Sequence, residues 1–372
     1  MSAPGFRRFT HGDSILYAAW QRIFNTPSPT EPSDRSLIKT VNLALQGGGS
    51  HGAFTWGVLD ALLEDGRLDF DGISGTSAGA MNAVVLAHAM ERARIDGKIG
   101  QERNDFVRTA LMRFWDGVGV MGNFAGGTSI PTPSLMSWMT QWFSPEQMNP
   151  LNVNPLRRLL EREVDFDLLA AQDPPKVFVC ATNIRTGRGE IFSGKKLSPA
   201  AVMASACLPL MFQPVQIDNE YYWDGGYSGN PAMHPLVYQT QTRDIVLIQI
   251  NPIESPYKLG SGAQDILERV NEITFNIALL AEVRGINFIA HLLEQGRLDP
   301  KEYKHILLHR VDGGSMLAGF GANSKIRADY GFLHRLFELG REAGKRWIIE
   351  HFADLGERSS MKEIVPTFRK DD

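Results

Sequence analysis

A serine flanked by two glycines is the residue in this chain with the clearest potential for chemistry. Gly75, Ser77 and Gly79 match Gly-x-Ser-x-Gly, the pattern of a nucleophile elbow. The apolar residues before the serine predict a short buried strand, and the small residues at 78–90 predict a helix after it. In so tight a turn, a side chain at either glycine would collide with neighbouring backbone. The spacing therefore predicts that Ser77 lies exposed at the end of a strand, although the pentapeptide alone also occurs in unrelated proteins.

A run of glycines lies one helix upstream of this serine. The run GGGSHG at residues 47–52 separates a predicted strand from a predicted helix. Strand, helix and strand form one βαβ unit, whose right-handed crossover brings both glycine-rich turns to the carboxyl edge of the sheet. Amide groups at such a turn favour negative charge. Beside the serine, the amides of Gly47, Gly48 and Gly49 would form an oxyanion hole, in which each donor contributes about 3–4 kcal/mol.

Two nucleotide-binding motifs are the alternatives for this run. Gly47, Gly49 and Gly52 also satisfy the spacing of the dinucleotide fingerprint. That fingerprint needs an acid at the end of the second strand, whereas Asp69 and Asp71 lie at its beginning. A P-loop is excluded because no Gly-Lys-Ser/Thr follows either glycine run. Ordinary tight turns would explain one such run, but they explain poorly two runs with a serine between them.

Composition sets the broad class of the protein. The chain has 372 residues, 43% hydrophobic and 22% charged, which suits one large α/β domain or two. Its net charge of -4 gives no electrostatic reason to expect a nucleic-acid partner. Cys180 and Cys207 are too few for a disulfide framework and are not spaced as metal ligands. Since no signal core is seen and no stretch approaches the roughly 20 apolar residues of a membrane span, we expect a soluble cytoplasmic protein.

The serine hydroxyl needs a base, and the sequence offers two kinds. Histidine is the usual choice because its pKa lies near neutral pH. The second half of the chain contains six: His234, His291, His305, His309, His334 and His351. The other kind is an acid in a turn at a strand end, and Asp224 and Asp312 each precede two glycines that let another loop approach. From the residues alone, the choice between these groups stays open.

Three motifs in this order resemble the patatin-like phospholipase family. The family's glycine-rich oxyanion loop is matched by residues 47–52, and its nucleophile elbow by residues 75–79. Its third signature is an Asp-Gly-Gly turn followed by a short spacer and Asn-Pro, matched here by Asp224, Gly225, Gly226, Asn230 and Pro231. Residues 204–209 are similar to the small-residue helix and proline that precede this turn. The resemblance covers about residues 39–250.

The resemblance implies a three-layer α/β fold with a mainly parallel central sheet flanked by helices. It implies a catalytic dyad of Ser77 and Asp224 without a histidine, the oxyanion hole at the glycine loop, and no metal or organic cofactor. Asp224 is preferred to Asp312 because only Asp224 is followed by Asn-Pro. The glycines that support the motifs are Gly52, Gly75, Gly79, Gly225 and Gly226. One position departs from the family, since His51 stands where an arginine is common and exchanges a permanent charge for a titratable one.

The function implied by the resemblance is a serine acyl hydrolase acting on lipid esters, such as phospholipids or lysophospholipids. The same dyad would serve an esterase, a thioesterase or a hydrolase of storage polyester. An α/β-hydrolase triad with one of the histidines is disfavoured, because its oxyanion loop normally lies further upstream. A lipid-binding regulator with an unreactive Ser77 is the hypothesis from a different class. The expected partner is a lipid ester, with transient contact at a membrane surface, and the sequence also allows an oligomer.

The chain is predicted to consist of a core flanked by two further parts. Residues 1–38 predict an N-terminal extension, residues 39–255 the catalytic core, and residues 256–372 a mostly helical part packed on the core. Within the core, residues 118–149 are rich in glycine and proline, yet carry several Met and Trp residues. This segment either fills a gap over the core or forms a cap whose apolar face meets a lipid substrate or a membrane.

Overall fold

The structure of the chain is a computed structural model that describes residues 38–127, 154–171, 175–209, 211–254, 263–320 and 322–361. The predicted N-terminal extension, apart from Ile38, and residues 128–149 of the predicted cap lie outside the described residues. The described residues form a central sheet and the helices that cover its two faces.

A sheet of eight described strands organises the fold. The strands are β1 (Lys39–Leu45), β2 (Leu68–Gly75), β3 (Lys176–Asn183), β4 (Gly189–Phe192), β5 (Val215–Ile217), β6 (Glu220–Asp224), β7 (Asp244–Gln249) and β8 (Leu307–Asp312). Their order is β5-β6-β3-β2-β1-β7-β8, with β4 paired to β3. The strands from β3 to β8 in this order are parallel, whereas β4, β5 and β6 pair antiparallel. Because β1 lies between β2 and β7, the loops after these three parallel strands meet at one carboxyl edge.

Alternation along the central strands divides the core between the two faces of the sheet. In β1, Leu43 and Leu45 belong to one buried cluster and Ala44 to another. In β7, Val246 belongs to the first cluster and Leu247 to the second. Both sides of these strands are therefore buried, which explains why they are nearly continuous apolar runs. With helices on both faces, the predicted three-layer α/β class with a mainly parallel sheet is confirmed.

Helices pack on both faces of this sheet. The described helices are α1 (Gly52–Asp65), α2 (Ala78–Ile95), α3 (Gly100–Gly127), α4 (Pro155–Glu163), α5 (Phe166–Ala171), α6 (Pro199–Ser205), α7 (His234–Gln239), α8 (Ala263–Glu294), α9 (Gly314–Leu317) and α10 (Tyr330–His351). Helices α1, α2, α3 and α10 contribute to the first cluster, and α7 and α8 to the second. Short 3-10 turns include Gly49–His51 after β1, Gly225–Tyr227 after β6 and Ala322–Ile326 before α10.

Helix α3 extends into the glycine- and proline-rich segment that begins at residue 118. The first part of this segment continues the helix to Gly127. A Cβ on Gly117 would lie 2.7 Å from Leu159, and a Cβ on Gly122 would overlap the carbonyl oxygen of Ala328. Glycine at these positions lets neighbouring elements approach the helix closely instead of ending it.

Helices α1 and α10 contact each other through their backbones. A Cβ on Gly340 would overlap the carbonyl oxygen of Phe54, and a Cβ on Gly57 would overlap that of Phe337. Gly340→Ala must push the helices apart, so we expect it to lower the free energy of unfolding by about 1–3 kcal/mol. The control Gly285→Ala adds a methyl with no neighbour within 4 Å and should stabilise by about 0.5–1 kcal/mol. Urea unfolding measures both values, and an unchanged midpoint for Gly340→Ala would contradict the close contact.

Candidate active site

Ser77 lies in the turn between β2 and α2. Its backbone adopts φ 54° and ψ -121°, a combination that residues with a side chain rarely adopt. Its amide donates to Ser205 Oγ at 2.9 Å. A Cβ on Gly75 would lie 2.5 Å from the Gly79 carbonyl oxygen, and a Cβ on Gly79 would overlap the Leu45 carbonyl oxygen. The turn therefore has no room for larger residues at the two glycines, and it leaves the serine only partly buried at the carboxyl edge.

The glycine loop after β1 lies directly against this serine. A Cβ on Gly47 would lie 2.8 Å from Ser77 Cβ. The Gly47 amide donates to Asn230 Oδ1 at 2.7 Å, so it is not free to bind an oxyanion. Among the described residues, no acceptor binds the amide of Gly48 or of Gly49. Of the three amides expected to form an oxyanion hole, that of Gly47 is therefore already bound, and those of Gly48 and Gly49 have no described acceptor.

Asn230 has a different role from the one that its sequence context suggests. The Asn-Pro pair predicts the start of a helix, but α7 begins at His234 and its N-cap residue, Met233, makes no side-chain capping bond. The Asn230 side chain instead accepts from the Gly47 amide and lies 3.5 Å from the Gly47 carbonyl oxygen with its Nδ2. The third motif is thus tied to the first motif by a side-chain to backbone contact.

Further amide side chains hold the glycine loop from the β7 side. Asn251 Nδ2 donates to the Gly47 carbonyl oxygen at 2.7 Å. Gln46 Oε1 accepts from the backbone amides of Ile250 and Asn251, each at 2.8 Å. Gln46 Nε2 donates to Asn276 Oδ1 of α8 at 3.2 Å. These buried residues fix the loop through bonds that the sequence analysis did not foresee.

Asp224 ends β6 beside the serine. It is 2% exposed, and its carboxylate accepts from the Gly226 amide at 2.7 Å. Burial raises the pKa of Asp224 to about 7, and the Gly226 amide and the neighbouring Ser77 side chain oppose that rise. A Cβ on Gly225 would overlap the Cys180 carbonyl oxygen, so the glycine lets the turn pass close to β3. The structure brings Ser77 and Asp224 together, with a carboxyl group that changes its protonation near neutral pH.

The other groups considered as a base have different partners. Asp312 accepts from the Gly314 amide at 3.0 Å, and His309 is buried between Asp244 and Ser360, each at 2.9 Å. The remaining histidine pairs are His234 with Glu282, His291 with Gln295, His305 with Glu294, His334 with Asp116 and His351 with Asp354. Within the described part of the chain, none of these groups is hydrogen-bonded to the serine, whereas the Ser77 side chain is near enough to Asp224 to lower the pKa of that carboxyl group.

His51 is a buried neutral group beside the glycine loop. It is 3% exposed, and its Nε2 lies 2.7 Å from Ser324 Oγ. Burial, together with the positive charge of Lys325, lowers the pKa of His51 to about 3. The imidazole is therefore uncharged at neutral pH and does not replace the charge of an arginine. The 3-10 turn at Ala322–Ile326 covers the loop here, since a Cβ on Gly49 would overlap the Lys325 carbonyl oxygen.

Two further groups at the elbow were missed from the sequence. The amide of Ala78, the residue after the serine, has no acceptor among the described residues and is a donor of the kind that completes oxyanion holes. Ser205 holds the Ser77 amide, and its place in a run of small residues gave no signal of this role.

Burial raises the pKa of both Cys180 and Cys207 to about 12, so neither thiol is a competing nucleophile. The described residues contain no group of three His, Cys, Asp or Glu that could hold a metal.

Comparison with known protein families finds one family model whose match includes the residues of this site. A model described as Patatin-like phospholipase matches residues 43–237. VipD from Legionella pneumophila is 14% identical, with a TM-score of 0.37, and the match covers 85% of this chain and 67% of that chain. The ExoU–SpcU complex from the type III secretion system of Pseudomonas aeruginosa is 15% identical, with a TM-score of 0.34 and coverage of 85% and 52%. The chain thus spans about half to two thirds of these structures. No match was found among curated proteins.

Proposed function

The chain belongs to the patatin-like phospholipase family, and on that premise we propose that it is a serine acyl hydrolase that cleaves carboxylic esters of phospholipids or lysophospholipids. The observation that carries the proposal is the contact between Ser77 and the buried carboxylate of Asp224, beside two glycine amides with no described acceptor. A nucleophile, a base and oxyanion donors are the three groups that acyl transfer requires.

In the proposed reaction, Asp224 accepts the proton of the Ser77 hydroxyl while Oγ attacks the ester carbonyl. The negative charge that develops on the carbonyl oxygen is stabilised by the amides of Gly48 and Gly49, with Ala78 as a third donor. Collapse of this intermediate expels the alcohol, which takes the proton from Asp224, and leaves the acyl group on Ser77. A water molecule activated by Asp224 then releases the fatty acid.

The raised pKa of Asp224 supports its role as the base. A carboxylate with an ordinary pKa of about 3.9 is too weak to take a proton from an alcohol efficiently. Burial brings the pKa of Asp224 to about 7, near the working pH at which a general base is most effective. The hydrogen bond from the Gly226 amide also fixes the orientation of the carboxylate.

Labelling with a fluorophosphonate, which phosphonylates activated serines, tests the nucleophile directly. We expect one adduct per chain, and peptide mapping by mass spectrometry should place it on Ser77. Prior denaturation should abolish labelling, because the hydroxyl is activated only in the folded site. An adduct on a different serine, or no adduct with or without lipid vesicles, would sink the assignment. Release of fatty acid from phosphatidylcholine and lysophosphatidylcholine then identifies the ester class.

A further inference from the structure

Helix α8 exposes a continuous row of apolar side chains, which we term the apolar stripe. Its members Ile266, Val270, Ile273 and Ile277 are 47%, 51%, 45% and 59% exposed. Spacings of four, three and four residues place them within about 60° of the helix circumference. Single exposed apolar residues are ordinary on a protein surface, but four aligned branched side chains form a patch suited to another apolar phase.

The helix that carries the stripe is strongly apolar. Among the described residues, Arg269–Glu294 is one segment long and apolar enough to span a bilayer by length and composition, and only a small part of it is buried. The expectation that no stretch approaches this limit is therefore wrong for this segment. Its inner side, however, belongs to the core, where Leu279 and Val283 are fully buried. If α8 spanned a bilayer, these residues would lose their contacts with the sheet. The helix is therefore suited to lie on a lipid surface instead.

The opposite side of α8 contacts the turn that follows Asp224. Phe275 packs edge-on against Tyr227, with ring centroids 5.2 Å apart. The Tyr227 hydroxyl donates to Asn271 Oδ1 at 3.3 Å, and Asn276 accepts a hydrogen bond from the residue that precedes the glycine loop. The stripe therefore lies on the outer side of the same helical turns whose inner side holds the proposed catalytic turn.

The charges near the stripe do not favour an anionic surface. Arg269 pairs with Glu272 at 3.2 Å, and Lys325 lies 3.7 Å from the same carboxylate. The chain as a whole has a net charge of -4. Contact with lipid must therefore depend on apolar burial, which a zwitterionic surface allows and which salt does not screen.

We propose that the apolar stripe docks the protein on a zwitterionic lipid surface and so holds the Ser77–Asp224 site at the interface that supplies its ester. The inference rests on the proposed function for its purpose, but the docking itself requires no catalysis. The two can therefore be tested separately.

Sedimentation with phosphatidylcholine vesicles tests the docking. The parent protein carries Ser77→Ala so that lipid is not consumed, and the stripe variant adds Ile273→Glu and Ile277→Glu. The matched control adds Ile99→Glu and Ile349→Glu, at isoleucines that are 70% and 85% exposed and lie outside the stripe. We expect the stripe variant to lose at least about tenfold in vesicle partitioning, the control to stay within about twofold of the parent, and added salt to have little effect on either.

Two results would overturn the docking. One is equal partitioning of the stripe variant and the control, with both folded by circular dichroism. The other is a change of oligomeric state without lipid: if the parent sediments as a dimer and the stripe variant as a monomer, the stripe is an interface between copies of the chain.

Hydrolysis assays on proteins that retain Ser77 separate lipid docking from catalysis. The stripe variant should lose at least about tenfold in kcat/KM on vesicles while it hydrolyses soluble p-nitrophenyl butyrate as the unsubstituted protein does. Equal losses on both esters would mean that the substitutions damage the site, which contradicts docking. If the unsubstituted protein cleaves neither ester and takes no fluorophosphonate, the proposed function fails, while the vesicle partitioning still decides the docking.

Discussion

Ser77→Ala and Ser77→Gly are both expected to lower ester hydrolysis by about 10⁴-fold or more, yet Ser77→Gly should be the more stable of the two. Both remove the hydroxyl proposed as the nucleophile. They differ at the backbone, where φ 54° and ψ -121° strain any residue with a Cβ. Such strain costs about 1–3 kcal/mol, and glycine relieves it at a cost of about 0.5–1 kcal/mol in unfolded-chain entropy. We therefore expect Ser77→Gly to unfold at a higher urea concentration than Ser77→Ala.

Ser193 provides the matched control for this comparison. Its φ of -150° is an extended conformation that any residue adopts, and its side chain makes no capping bond to the 3-10 turn that it precedes. At this position the order should reverse, with Ser193→Gly less stable than Ser193→Ala because only the entropy term remains. If Gly and Ala behave alike at both positions, the elbow stores no strain.

The elbow and the glycine loop could be predicted because their requirements are local. At Gly75 and Gly79 a side chain would strike backbone, so glycine at those two positions reports the tight turn directly. The central strands could be predicted equally well, because residues such as Leu43 and Ala44 are buried on opposite faces of the sheet and so form a continuous apolar run. Helix starts with capping side chains, such as Asn154 before α4, follow the same logic.

The partners of the loop could not be predicted, because they are distant in sequence. Asn230 lies 183 positions from Gly47, and Asn-Pro is as typical of a helix start as of any other role. Nothing in the sequence distinguishes a helix-capping role of Asn230 from a hydrogen bond to the glycine loop. Only the fold brings β1 and the third motif together. The same limit applies to the proposed oxyanion donors. Three glycines qualify by sequence, and the structure shows that the amide of Gly47 is already bound.

The sequence also could not predict which residues are buried and which are exposed in a helix that carries apolar residues on all sides. In α8, Ile273 and Leu279 are equally apolar, yet one is 45% exposed and the other is fully buried. Periodicity could not separate them, because both sides of the helix carry apolar residues. In α3, glycine inside the helix permits close packing, as at Gly122 against Ala328. In both helices the neighbouring element decides the outcome.

Asp224→Asn is expected to lower kcat/KM by about 10³-fold or more at pH 8, where the native carboxylate is ionised. In the unsubstituted protein, kcat/KM should rise as the pH increases through about 7 and then level off, because only the deprotonated Asp224 accepts the serine proton. The residual activity of Asp224→Asn should lack this inflection. The measurement is the pH dependence of hydrolysis of a soluble ester from pH 5 to 9.

The raised pKa of Asp224 also predicts how stability depends on pH. The folded protein holds the Asp224 proton up to about pH 7, whereas the unfolded chain releases it near the ordinary value of 3.8. Between these values the folded state binds more protons, so this group's contribution to the free energy of unfolding falls as the pH rises. Asparagine resembles the protonated acid, and Asp224→Asn should therefore gain stability over the native chain at pH 8 but not at pH 4.

Asp312→Asn is the matched control, because Asp312 also begins an Asp-Gly-Gly turn and accepts an amide, that of Gly314. It is not hydrogen-bonded to Ser77 among the described contacts, so its substitution should leave both the activity and the inflection near pH 7 unchanged. Should Asp312→Asn instead remove the inflection, the base would be Asp312 and the dyad would be assigned to the wrong turn. If neither substitution changes the profile, the proton acceptor is not a carboxylate of either turn.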